Sequence, residues 1–246
     1  MMSALLWGLA AAASLLVGAL LAMRLRLPKK IIGVIMAFGV GVLVSAIAFE
    51  LTEEAFRTAG ASLSLAVGLG LGALTFFVGD WAIDRMGGHH RKSSERPKRA
   101  NDDNSGLAIV LGSVLDGIPE SIVIGLSIVH GGAVGVAMLV AVFLSNLPEA
   151  IGATTGLQRS GWRRWPIIGM WSLVVAVSGL ASLAGFALFD TASPDVVAFT
   201  LAFSAGALLT MLADTMMPEA YDDAGPLAGI ITTLGFGVAF WINILD

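Results

Sequence analysis

Two stretches interrupt otherwise apolar runs with the same chemistry, VLDGIPESIVIG at 114–125 and FLSNLPEAIGAT at 143–154. Asp116 and Glu120 are four residues apart, so a helix carries both on one face. Ser145 and Glu149 repeat that spacing, with Asn146 beside them. An ionised carboxylate deep in a bilayer costs on the order of 3 kcal/mol even on the lenient insertion scale. No Lys, Arg or His lies within either segment to offset that cost, so protonation or a bound cation must do so. Pro119 and Pro148 cannot donate to the carbonyls of Leu115 and Leu144, and a carbonyl freed in a membrane must face protein, water or an ion. Carboxylate, hydroxyl, amide and carbonyl oxygens at one depth are divalent-cation chemistry. The metal-ligating candidates are Asp116, Glu120, Ser145, Asn146 and Glu149.

These residues need a scaffold that crosses lipid. The 246 residues are 57% hydrophobic and 13% charged, with a mean hydropathy of +0.86, whereas soluble domains carry about 25% charged residues. Eight apolar runs are long enough to cross about 30 Å of hydrocarbon, near 3–23, 31–51, 62–83, 107–129, 132–156, 165–189, 195–217 and 226–244. The expected fold is all-α and polytopic, a single transport domain over 1–246. The first run has no basic residue before it, so it reads as a retained span rather than a cleaved leader. Spans four and five, joined by a short turn, are expected to be neighbours.

Thirteen of the fourteen Lys and Arg residues fall between spans one and two, three and four, or five and six. The positive-inside rule then places both termini outside the cell membrane, the inner membrane if the cell is bacterial. The long basic loop at 85–106, which contains His89 and His90, faces the cytoplasm. Glu50 and Glu54 at the outer end of span two are candidate entrance residues. Asp80, Asp214 and Glu219, toward the inner ends of spans three and seven, are candidate exit residues, and His89 and His90 are candidate inner-loop ligands. The tryptophans are expected near span ends, as an interfacial belt.

Two internal likenesses suggest inverted repeats. LDGIPESI at 115–122 matches LSNLPEAI at 144–151, and AFGVGVLVSAIAFELTEEA at 37–55 matches AFSAGALLTMLADTMMPEA at 202–220. With no cysteine, disulfide and thiol chemistry are excluded. There is no His-Glu-x-x-His, no Gly-x-Ser-x-Gly and no nucleic-acid signature. The expectation is therefore a non-enzyme with no catalytic residues, no bound cofactor and no nucleic-acid partner.

With its eight spans, paired Pro-Glu helices and histidine-bearing loop, the chain resembles the ZIP (Zrt-/Irt-like) metal transporters, as a divergent, prokaryotic-type form. The resemblance implies a 3+2+3 arrangement of spans, a homodimer, and passage of Zn²⁺ first, with Mn²⁺, Fe²⁺ or Cd²⁺ as alternatives. The sequence departs from the family pattern: Asp116 replaces its span-four histidine, and Gly117 its asparagine. In span six, Ser182 and Leu183 stand where the family stretch has Glu-Pro, which implies one oxygen-dominated site rather than two adjacent ones. Two other readings stay open, a calcium/cation exchanger-type carrier with SNLPE as its motif and a membrane metal sensor that binds without transport.

Overall fold

The computed structural model describes residues 1–25, 27–85, 104–129, 136–189 and 191–245. Its helices, in chain order, are α1 (Met2–Arg24), α2 (Lys29–Ala46), α3 (Glu53–Ala59), α4 (Leu63–Ile83) and α5 (Asn104–Val129). They continue with α6 (Val136–Arg159), α7 (Arg164–Phe189), α8 (Pro194–Met211), α9 (Met217–Ala224) and α10 (Leu227–Leu245). A wide π-type turn joins α2 to α3 at Ile47–Thr52, and another joins α8 to α9 at Leu212–Met216. The fold is all-α and polytopic, with eight helical segments among the described residues long and apolar enough to cross a membrane. Among the described residues there are no strands.

Two spans are longer than hydropathy indicates. The second runs from Lys29 to Ala59 rather than ending at 51, and the seventh from Pro194 to Ala224 rather than ending at 217. Acidic residues end an apolar run without ending a helix, because Glu and Asp are tolerated in helices and favoured in a first turn. Both extensions stop at a glycine in the left-handed region, Gly60 (φ 64°) and Gly225 (φ 65°), where a side chain would be strained. The fifth span likewise continues to Arg159, past 156. Residues 130–135, and His89 and His90, lie outside the described residues.

Register between helices gives their directions. Between span two and α10, the Thr232 hydroxyl donates to the Ala37 carbonyl at 3.0 Å, and Phe49 in the first π turn packs on Phe240 at 5.1 Å between centroids. The numbers rise together, so these helices are parallel. Gly68 against Phe199 and Gly72 against Phe203 give the same result for α4 and α8. On α1 and α7 they run oppositely: Ser182 donates to the Ala4 carbonyl at 2.8 Å, while Gly179 lies against Leu9. Spans an even number apart are parallel and spans one and six are antiparallel, as an alternating eight-span path requires. The start of α1 and the end of α10 therefore lie on one face.

The same contacts reveal a repeat larger than the matched stretches. Gly60 and Gly225 are 165 residues apart, as are Ala37 and Ala202. The π turns at Ile47 and Leu212 keep that interval. Gly72 admits the Phe203 carbonyl, and Gly235 admits Phe38, the equivalent of Phe203, in the same way. The pairing of α4 with α8 mirrors that of α10 with α2, and α5 with α7 mirrors α6 with α1. Spans one to three thus correspond to six to eight, and four to five. Because spans one and six run oppositely, the repeat is inverted.

Burial follows this plan. Spans two, four and five are the most enclosed, and three and eight the least. One apolar cluster, including Leu15, Ala150, Leu157, Ile167 and Trp171, binds α1, α6 and α7 around α5. A larger one centres on α2 and α8 and takes in Val123, Ile124, Met138 and Val142 from α5 and α6.

Candidate cation site

Prolines 119 and 148 lie inside α5 and α6, and both helices continue through them. Their polar faces are turned away from the surroundings: Asp116 (3% exposed), Glu120 (2%), Ser145 (2%), Asn146 (6%) and Glu149 (4%) are all buried. The five residues that the sequence singles out are thus inside the bundle.

α5 and α6 are neighbours only over a short crossing. α5 packs mainly along α7, and α6 along α1 and α2. Their polar faces meet where the Ser113 hydroxyl donates to Glu149 Oε1 at 2.8 Å, a buried bond between the two helices. Ser113 was not among the sequence candidates. Its spacing supplied a signal, because it precedes Asp116 by three residues and Glu120 by seven, on the same helical face. The Ser145 hydroxyl donates to the Val142 carbonyl of its own helix at 3.0 Å, leaving its lone pairs as acceptors.

The helices around this crossing are fitted closely. Gly39 brings α2 against the Leu144 carbonyl of α6, and Gly18 brings α1 against Leu147 and Ala150. On α7, Ser182 is committed to α1 through the Ala4 carbonyl. The hydroxyl that α7 presents to α5 belongs to Ser178, 3.2 Å from where a Cβ on Gly117 would stand. No carboxylate from α7 reaches this place, because residues 164–189 contain none.

Among the described residues, no three His, Cys, Asp or Glu side chains converge closely enough to hold a metal ion by themselves. An ion at the crossing must therefore complete its shell with hydroxyl, amide or carbonyl oxygens or water, a set that suits hard or borderline cations.

Glu50, Glu54, Asp214 and Glu219 lie in or beyond the π turns, toward the ends of spans two and seven. Glu50 is half-buried in the first π turn, where Thr52 donates to the Ile47 carbonyl at 2.8 Å, and Glu54 is exposed on α3. Glu53 pairs with exposed Arg57 at 2.6 Å. Asp214 is exposed in the second π turn, Glu219 half-buried on α9, and Asp80 half-buried on α4. Glu50 and Glu54 thus sit at the end of span two opposite Lys29 and Lys30. Gly33, near those lysines, packs against Asp223 and Ala224, which puts α9 and Glu219 at the other face. The tryptophan belt has one exception: Trp171 is fully buried, and its indole donates to Thr154 Oγ1 at 2.9 Å.

No protein-family model matches the chain, and no curated protein matches it.

Proposed function

We propose that the chain is a carrier for divalent metal ions, with Zn²⁺, Mn²⁺, Fe²⁺ and Cd²⁺ as the candidate cargo, bound at the crossing of α5 and α6. One observation carries the reading. Asp116, Glu120 and Glu149 are buried in the most enclosed helices, and the sequence has no Lys or Arg between residues 100 and 158. A cation bound at the crossing, its shell completed by neighbouring oxygens or water, would offset the cost of that buried negative charge. The inverted repeat supports a carrier over a sensor, since such repeats place a midplane site between two related halves. The resemblance to ZIP transporters, including the paired Pro-Glu helices, points the same way and adds a homodimer as the expected assembly.

The proposed orientation puts both termini outside and the 85–106 loop in the cytoplasm. An impermeant thiol reagent should label Ser3→Cys in intact cells and spare Ser94→Cys; the reverse pattern overturns it.

Purified protein in sealed liposomes tests the function. Uptake of Zn²⁺, Mn²⁺, Fe²⁺ or Cd²⁺, read by a trapped indicator and lost in Glu120→Gln, supports the carrier. Saturable binding with no uptake identifies a sensor. Uptake of Ca²⁺ alone, driven by a countercation gradient, identifies the exchanger-type alternative.

A further inference from the structure

The repeat makes the bond between Ser113 and Glu149 informative. Glu149 is the equivalent of Glu120, 29 residues away, and by the same interval Val142 is the equivalent of Ser113. The pseudo-symmetric partner of the Ser113 hydroxyl is therefore an alkyl group with no hydrogen to donate. The next hydroxyl on α6, Ser145, is directed to the Val142 carbonyl of its own helix. Two halves that agree in their glycine contacts, π turns and Pro-Glu motifs differ at this position, as they do at Asp116 against Ser145 and Gly117 against Asn146.

A hydroxyl donated to a carboxylate is a charge-assisted bond that fixes one oxygen in place. The other oxygen still offers lone pairs to an ion. Ser113 is also buried, on the face of α5 that carries Asp116 and Glu120.

Taking the cation-carrier reading as given, we propose that Ser113 is a positioning residue, which holds Glu149 against α5 through Oε1 and so presets the α6 ligand of the site. At the equivalent place on α6 stands Val142, whose side chain has no hydroxyl to donate.

The test uses the full chain in liposomes, with Zn²⁺ and Mn²⁺ as probes. Ser113→Ala should raise the KM for uptake about tenfold, the scale of a lost hydrogen bond to a charged group. Its maximal rate should stay within about twofold, because the ligands themselves are retained. Ser113→Thr, which keeps the hydroxyl, should restore the KM. Infrared difference spectra supply a readout independent of transport. The carboxylate band assigned by its loss in Glu149→Gln should move in Ser113→Ala and return in Ser113→Thr. Wild-type protein that transports none of Zn²⁺, Mn²⁺, Fe²⁺ and Cd²⁺ overturns the carrier reading, while the infrared band still decides whether Ser113 sets Glu149. An unmoved band in Ser113→Ala overturns the proposal, and so does a moved band with unchanged KM in a transporting protein.

Discussion

Spans one to three and spans six to eight use the same packing devices, whereas the helices between them, α5 and α6, share a motif and diverge in chemistry. In the outer halves, Gly72 with Phe203 is matched by Gly235 with Phe38, and both long helices carry a π turn and end at a left-handed glycine. In the centre, Pro-Glu is kept, yet Asp116 faces the alignment position of Ser145, Gly117 that of Asn146, and Ser113 that of Val142. Packing in lipid depends on backbones approaching closely, which small residues allow on either half. Binding an asymmetric ligand shell places no such demand. The scaffold keeps its symmetry, and the site uses it only in part.

The largest effect should come from breaking the scaffold. A side chain at Gly72 or Gly235 would meet the facing backbone carbonyl, which has nowhere to move. Gly72→Leu and Gly235→Leu should each cost about 3 kcal/mol or more, read as loss of monodisperse protein on size exclusion and a lower Tm. Gly70→Leu, on the open side of α4, should be tolerated. A large difference between the two damaging variants would break the equivalence of the halves.

Next come the buried carboxylates. Glu120→Gln and Glu149→Gln should each lower ion affinity by at least roughly tenfold, about 1.4 kcal/mol, measured by uptake and by calorimetry. Exposed Glu54→Gln should change it by less than about twofold, as expected for a solvated surface charge. An unaffected Glu149→Gln would remove α6 from the site.

Transposing the unequal pair sharpens the comparison further. Asp116→Ser combined with Ser145→Asp moves one carboxylate from α5 to α6 while conserving charge, and should retain uptake that Asp116→Ser alone loses. Asp116→His should shift the ranking toward Zn²⁺ and Cd²⁺ over Mn²⁺ by several-fold, roughly, since imidazole suits zinc better than an oxygen ligand. A ranking that does not change excludes Asp116 as a direct ligand.

The smallest expected effect is that of pH. Protons compete with metal for carboxylates, so affinity should fall from pH 8 to pH 6 and binding should release protons. Calorimetry in buffers of different ionisation enthalpy counts them. A count of zero throughout that range would falsify proton–metal competition at the site.

The sequence made the eight spans and the two Pro-Glu helices readable because long apolar runs interrupted by Asp116, Glu120 and Glu149 have few physical interpretations. It also showed the likeness of 37–55 to 202–220. The relation of span three to span eight was hidden, because Gly60 to Gly72 is two residues longer than Gly225 to Gly235 and the intervening residues differ. No residue type encodes the π turns, which arise where Glu50 and Asp214 end the apolar runs but not the helices. The spacing of Ser113 put it on the right face, but its bond was hidden for another reason. A lone serine in an apolar helix commonly bonds its own backbone, as Ser14 does with the Ala11 carbonyl. Its reach to Glu149 depends on how α5 crosses α6. α5 and α6 are neighbours as expected, but only over a short crossing, because α7 and α1 pack along them.

Trp171 gives the molecule an internal optical reporter. Its indole is fully enclosed and bonded to Thr154, five residues beyond Glu149 on α6, whereas Trp7, Trp81, Trp165 and Trp241 are all more than 40% exposed. A shielded indole emits at shorter wavelengths than one in contact with solvent or lipid headgroups. Excitation of the native chain should therefore yield a blue component that Trp171→Phe removes. Any movement of α6 against α7 would alter that component without a label being attached.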